Sequence, residues 1–229
     1  MTMKYPQDLI CLKRILQSIA VLALVILPTV ARADEIALWN FNDSNLVVDR
    51  GVGTLTLTAN PANVTSLGGI STNARAGDPA GQSLAILAGA NLQNNGSILE
   101  LRASTVGFNR VTLLWDWQRS DTGFSSILLQ YSIDGTTFLN CRTFSPPLTS
   151  FGGLSVTFGE ASGVFDNPLF AFRWVLNGAT NETGNIRFDN IGLAGTLAAV
   201  PEPATMVLLG TGLAGVAAKL RRRKKSRSL

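Results

Sequence analysis

Short stretches in which apolar and polar side chains alternate recur through the middle of the chain, and they constrain the fold more than any other feature. They are TLTLT at 54–58, VTLLWDW at 111–117, SILLQYS at 126–132, LSVTF at 154–158 and FAFRWVL at 170–176. A period of two places the apolar side chains on one face of a strand, which a second layer must then cover. No stretch between residues 34 and 199 has the spacing of an amphipathic helix. We therefore predict an all-β domain over residues 34–199, a jelly-roll-like β-sandwich of about ten strands.

Turn-forming residues separate these stretches, as in NNGS at 94–97, IDGT at 133–136 and NETGN at 181–185. The pair Asp134-Gly135 lies between two strand-like runs and is the strongest hairpin signal in the chain. Residues 60–81 are rich in Gly, Ala, Asn and Ser, which predicts a long solvated connection.

The positive charge of the chain lies at its two ends. The 229 residues carry a net charge of +4, which by itself would favour a nucleic-acid partner. Residues 34–199, however, contain eight Arg and no Lys against thirteen Asp and Glu, a net charge of −5. An acidic domain lacks the basic surface that binding to phosphates requires, so no nucleic-acid partner is expected.

The first 33 residues have the three parts of a secretory signal peptide. Basic residues near the start precede the apolar run ILQSIAVLALVILP at 15–28, and small residues follow at Ala31 and Ala33. The apolar run is short for a membrane span, which needs about 20 residues. We expect export through the general secretion machinery and cleavage after Ala33, with a permanent anchor as the alternative.

The last 30 residues combine an apolar segment with a basic end. Residues 204–218 carry no charge, and seven Lys or Arg residues follow within 219–229. This predicts a transmembrane helix at about 204–220 whose basic end stays in the cytoplasm. A plain C-terminal anchor has the same physical features.

The triplet Pro201-Glu202-Pro203 precedes this segment, and VPEPATMVLLGTGLAGVAAKLRRRKK resembles the PEP-CTERM sorting signal of Gram-negative bacteria. The resemblance implies that an integral-membrane exosortase recognises the tail and removes it near Pro201, Glu202 and Pro203. These are then substrate residues, and the two prolines keep the segment extended. It also implies transient anchoring in the inner membrane, a destination at the cell surface or in the extracellular matrix, and a link to exopolysaccharide or biofilm production.

Two absences restrict the chemistry of the domain. The chain has no histidine, so Ser-His-Asp and Cys-His catalysis and the common zinc sites are excluded. Cys141 is the only cysteine after residue 33, which rules out an intramolecular disulfide. We predict that Cys141 is a buried structural thiol, with an intermolecular disulfide as the alternative. Carboxylate catalysis needs only two acids, but no pair is distinguished by its spacing.

The closing stretch GNIRFDNIGLAG at 184–195 resembles the last strand of jelly-roll carbohydrate-binding and galactose-binding-like domains. In several such families the first and last strands hold a structural calcium ion. The resemblance implies that Asp189, with Asn190 or Asp43, supplies oxygen ligands to Ca²⁺. The alternative is that Asp189 points outward from Phe188 and is solvated.

The residue types that bind sugars lie on or beside three predicted strands: Trp115, Trp117, Trp174, Arg119, Arg173 and Arg187. Tryptophan can stack on a sugar ring, and arginine can bind sugar hydroxyls or an acidic polysaccharide. The alternative is that each tryptophan belongs to the core, since aromatic residues on an inward strand face usually do. Trp115 and Trp117 share a face with Val111 and Leu113, which favours the core.

Three functions remain open. The first is a non-catalytic exported domain that binds or organises exopolysaccharide. The second is a structural matrix or adhesin protein without a defined ligand, and the third is a carboxylate-based enzyme acting on glycans.

Overall fold

The structure, a computed structural model, describes residues 33–70, 80–198, 209–216 and Lys219. The chain divides into two compact units, residues 1–33 and 34–229. The strands and turns given below lie in the second unit, except that the first strand begins at Ala33. The predicted cleavage residue Ala31 and the sorting residues Pro201, Glu202 and Pro203 lie outside the described residues.

The described part of the domain consists of twelve strands and three short 3-10 turns. The strands are β1 (Ala33–Trp39), β2 (Arg50–Gly51), β3 (Thr54–Leu57), β4 (Val64–Gly68), β5 (Gln82–Leu87), β6 (Ile98–Arg102), β7 (Phe108–Arg119), β8 (Ser126–Ser132), β9 (Leu139–Phe144), β10 (Gly152–Thr157), β11 (Ala171–Asn177) and β12 (Asn185–Leu197). The 3-10 turns are Pro61–Asn63, Ala90–Leu92 and Glu160–Ser162. The five alternating stretches of the sequence all form strands, as predicted.

These strands form two antiparallel sheets. The seven-stranded sheet has the order β10-β7-β12-β1-β2, and β5 joins it by pairing with β12 while β4 pairs with β5. The five-stranded sheet has the order β3-β6-β11-β8-β9. The all-β prediction is confirmed, whereas the jelly-roll connectivity stays a prediction.

One hydrophobic core joins the inner faces of the two sheets. The seven-stranded sheet contributes Val111, Leu113, Trp115, Trp117, Ile186 and Phe188 to this core. The five-stranded sheet contributes Leu99, Leu101, Ile127, Leu129, Phe172, Trp174 and Leu176. The rings of Trp115 and Trp174 meet edge to face with centroids 5.4 Å apart, so the two sheets contact each other through these indoles. Strict alternation along β7 and β11 therefore leaves every second residue for the outer faces.

The longest strand, β12, is irregular where its polar residues lie. Its pairing with β7 shifts register between Asp189 and Gly192, and Asn190 has a φ of 48°. A residue other than glycine rarely adopts this left-handed conformation, although asparagine tolerates it better than most. The bulge turns the side chain of Asn190 toward the neighbouring strand β7.

The C-terminal segment is described only at 209–216, which is helical, and at Lys219. Among the described residues, no helix has the length and apolar character needed to cross a bilayer. The predicted span at about 204–220 extends beyond these residues on both sides.

Two local predictions differ from the structure, and one is confirmed. The predicted hairpin at Asp134-Gly135 forms between β8 and β9, with a six-residue loop in which the Oδ1 atom of Asp134 accepts hydrogen bonds from the backbone N–H groups of Thr136 and Thr137. Residues 60–81 are not one long solvated connection, because the 3-10 turn Pro61–Asn63 and the strand β4 lie within them. The prediction of a buried Cys141 was wrong. Cys141 is exposed on β9, an edge strand whose first five residues all face solvent.

Candidate functional site

The three tryptophans proposed as a sugar platform are core residues. Trp115, Trp117 and Trp174 are 1%, 3% and 0% exposed. The indole N–H groups of Trp115 and Trp174 have no hydrogen-bond partner, so these side chains act as hydrophobic groups. The stacking interpretation is corrected on this point, because a buried ring offers no face to a sugar.

Two of the candidate arginines are used by the fold. Arg119 ends β7, and its Nη1 atom donates to the carbonyl oxygens of Ser120 at 3.2 Å and Asp121 at 2.9 Å. Arg187 on β12 donates from Nη1 to the carbonyl of Gly68 at 3.4 Å. The Nε atoms of both arginines are buried without a partner, so neither guanidinium is presented as a whole to solvent.

Arg173 is the candidate that the fold places on an outer face. Its neighbours on β11, Phe172 and Trp174, point into the core, so Arg173 points away from it. The register aligns one residue from each strand of the five-stranded sheet, and we call this set the polar row: Thr56, Glu100, Arg173, Gln130 and Asn140. Four steps of about 4.8 Å between strands give the row a length of about 19 Å.

Hydrogen bonds along the polar row fix the orientation of Arg173. Its Nε atom donates to Oε1 of Gln130 at 2.6 Å, and Nε2 of Gln130 donates to Oδ1 of Asn140 at 2.6 Å. The ring of Phe138 lies under the guanidinium, 3.7 Å from its carbon Cζ. Such a cation–π contact restrains the plane of the guanidinium and leaves its edge free to donate.

The acidic member of the polar row is engaged by another arginine. Oε1 of Glu100 accepts a hydrogen bond from Nε of Arg102 at 2.7 Å, two residues along the same strand. Arg173 has no ion pair with a carboxylate of the described residues. The face therefore holds two guanidinium groups and one carboxylate.

An apolar row runs beside the polar row on the same face. Val175 pairs with Ile98 on one side and with Leu128 on the other, and all three side chains are half-buried. The face thus offers hydrogen-bonding groups next to aliphatic surface. A pyranose ring presents the same two kinds of surface, hydroxyl groups at its edge and C–H groups on its faces.

A second polar cluster lies on the outer side of the seven-stranded sheet. Asp189 pairs directly with Asp116 across β12 and β7, and both residues are buried, as is Asn190. The carboxylate oxygens of Asp189 accept backbone N–H groups from Ile70 and Asn190, each at 2.8 Å. Nδ2 of Asn190 donates to Oδ2 of Asp116 at 3.1 Å. The cluster joins residue 70 to β12.

Burial controls the protonation of this cluster. Removal from water disfavours the charged form, and it raises the pKa of Asp189 to about 6. The two N–H donors lower that pKa and the charge of Asp116 adds to the rise, but burial is the largest cause.

Of the three residues predicted to hold calcium, Asp189 and Asn190 lie together and Asp43 lies apart from them. Asp43 lies exposed on the turn after β1, and no hydrogen bond joins it to Asp189 or Asn190. In the described part of the chain, no three His, Cys, Asp or Glu side chains are grouped so that they could hold a metal ion. Asp189 and Asn190 are adjacent as predicted, and Oδ1 of Asn190 lacks a partner. Calcium requires six to eight oxygen ligands, and the calcium site at Asp189 stays a prediction.

Most of the polar row could not be found from the sequence. Gln130 lies between apolar residues of an alternating stretch, which identifies its face but not its cross-strand neighbours, and Asn140 lies outside the alternating stretches. Of the five residues of the polar row, only Arg173 was singled out, as an arginine that could bind sugar. Phe138 carries no sequence signal for its contact with Arg173.

Comparison with known proteins gives one local match and a set of distant structural ones. Residues 199–223 match the PEP-CTERM protein-sorting motif, as the sequence resemblance implied. No curated protein matches the chain.

Three solved structures illustrate the structural similarity. TmCBM61 in complex with beta-1,4-galactotriose has 9% identity and a TM-score of 0.42, with 67% of this chain and 92% of that one covered. The K3 cleaved adhesin domain of Lys-gingipain from Porphyromonas gingivalis has 11% identity and a TM-score of 0.47, covering 71% and 99%. The enzymatically active domain of tailspike protein 4 from bacteriophage CBA120 has 12% identity and a TM-score of 0.42, covering 69% of this chain but 20% of the tailspike. Likeness at this level identifies neither a ligand nor an activity.

Proposed function

We propose that this chain is exported, is cut by an exosortase at its C-terminal end, and acts outside the cell as a non-catalytic domain that binds polysaccharide. The match to the PEP-CTERM sorting motif at residues 199–223 carries the proposed route. The same match supports transient anchoring in the inner membrane and a destination at the cell surface or in the extracellular matrix.

The proposed binding surface is the outer face of the five-stranded sheet, in a domain we take to be a jelly-roll-like β-sandwich. The polar row supplies donors and acceptors held by hydrogen bonds between side chains, such as Gln130 to Asn140 at 2.6 Å. The apolar row supplies the aliphatic surface on which sugar rings can lie. Preorganised polar groups lose less conformational entropy when a ligand binds, which favours affinity.

The route is tested by the triple substitution of Pro201, Glu202 and Pro203 with alanine in a host that has an exosortase. The proposal expects the unprocessed chain to accumulate in the membrane fraction, because the Pro-Glu-Pro triplet before the apolar run is the proposed cleavage region. Release of a processed domain at the wild-type rate would leave the tail as a plain anchor.

The binding face is tested by retention of the full chain, purified in detergent, on a panel of immobilised bacterial exopolysaccharides. Gln130→Ala with Asn140→Ala removes a hydrogen-bonded side-chain pair from the polar row, and retention should fall. The matched control is Thr112→Ala with Thr157→Ala, which removes a side-chain pair at 3.0 Å between two strands of the other sheet. No retention of the wild-type chain, or equal losses in both variants, would contradict the proposed face.

A further inference from the structure

We infer that the ligand of the five-stranded sheet is an acidic polysaccharide, whose carboxylates are bound by the guanidinium edge of Arg173. This inference rests on the proposed function and specifies the ligand class of the same face.

Neighbouring side chains hold the guanidinium of Arg173 in one orientation. Its Nε atom is engaged by Gln130 at 2.6 Å, and its flat side is covered by Phe138. The terminal nitrogens Nη1 and Nη2 form no hydrogen bond with the described residues. A guanidinium held in this way presents two parallel N–H donors, the arrangement that pairs with the two oxygens of a carboxylate.

The charges on the outer face of the five-stranded sheet are only partly paired with one another. Glu100, the cross-strand neighbour of Arg173, directs its carboxylate to Arg102 at 2.7 Å. One positive charge of the face is therefore compensated within the described chain, and that of Arg173 is not. Its side chain is half-buried, where a charge pair is screened less than on open surface.

The positive charge of this face contrasts with the net negative charge of the domain. Residues 34–199 carry eight Arg against thirteen Asp and Glu, so the domain as a whole repels anions. An acidic ligand is consequently favoured only where a positive charge is concentrated locally. The outer face of the five-stranded sheet is such a place, because its described strand residues include Arg102 and Arg173 against the one carboxylate of Glu100.

The experiment compares two ligands with the same sugar chain, an oligogalacturonate and its uncharged methyl ester, by titration calorimetry against the full chain in detergent. The wild type should bind the acid at least about tenfold more tightly than the ester, which is the size of one charge-assisted hydrogen bond. Raising the salt concentration should reduce this preference.

Variants assign the preference to one side chain. Arg173→Gln should remove the preference for the acid, and Arg173→Lys should retain part of it, because lysine keeps the charge without the paired donors. Glu100→Gln should strengthen binding of the acid. The matched control is Arg110→Gln, which removes the same charge from an exposed residue of β7 and should keep the preference. Unchanged circular dichroism spectra establish that each variant is folded.

Equal binding of the acid and the ester by the wild type would overturn the inference and leave the proposed function standing. So would an equal loss of preference in Arg110→Gln and Arg173→Gln, which would indicate a general charge effect. Failure to bind either ligand overturns the inference as well. The proposed function falls with it only if the exopolysaccharide panel is also not retained.

Discussion

The buried carboxyl of Asp189 should make the domain less stable as the pH rises from 4 to 7. Its pKa is about 6 in the folded chain, against an ordinary value of 3.8. A pKa raised by folding contributes stability that is complete below pH 4 and is lost as the pH rises through 6, because the folded state must then hold a buried charge. Each pH unit between the two values corresponds to about 1.4 kcal/mol, so the full effect is about 3 kcal/mol.

The substitution Asp189→Asn tests this effect, because it keeps the shape of the side chain and an acceptor for the N–H group of Ile70. Unfolding by urea is followed by fluorescence of the buried tryptophans at several pH values between 4 and 7, in the presence of EDTA. As the pH rises from 4 to 7, the free energy of unfolding of the variant should increase by about 3 kcal/mol relative to that of the wild type.

A control separates this effect from the titration of other carboxyl groups. Asp121→Asn removes a carboxyl from an exposed turn and should follow the wild-type curve. The interpretation is refuted if the difference between Asp189→Asn and the wild type stays constant from pH 4 to pH 7. A constant difference would mean that Asp189 is ionised equally in the folded and unfolded chains.

Three further outcomes are expected. Trp174→Ala should lower the free energy of unfolding by about 3–5 kcal/mol, because it leaves a cavity between the sheets, and a loss under 1 kcal/mol in urea unfolding would contradict its place in the core. If Asp189 is a calcium ligand as the sequence predicts, calcium added after EDTA should raise the melting temperature of the wild type but not that of Asp189→Asn, and an unchanged melting temperature in both would contradict the calcium site. Cys141 should react with a maleimide in the folded protein, and labelling that appears only in denaturant would show that it is buried after all.

The strands were predictable because alternation is a local property of the sequence. Val111, Leu113, Trp115 and Trp117 read directly as one face of β7, and the structure places them in the core. The same pattern gave the outward direction of Arg173 on β11.

Pairing between strands was not predictable in this way, because it depends on residues far apart in the sequence. Glu100 and Gln130 lie on either side of Arg173 only through the order β6-β11-β8. Likewise Asp116 and Asp189 are 73 positions apart and become direct neighbours through the pairing of β7 with β12. A period of two gives no information about either partner.

Cys141 was mispredicted for a related reason. Its surroundings in the sequence are those of a strand, and strands of a packed domain usually have a buried face. The strand β9 lies at the edge of its sheet, and Cys141 is the residue passed over where its pairing with β8 shifts between Leu129 and Gln130. Edge position follows from topology, which the sequence does not display.

The most direct test of a polysaccharide-binding face is to map the backbone amide shifts of the full chain by NMR during titration with an acidic oligosaccharide. We predict that the largest shifts fall on β6, β11 and β8 around Arg173, and that Arg173→Gln removes them. Shifts confined to the seven-stranded sheet, or their persistence in Arg173→Gln, would contradict this prediction.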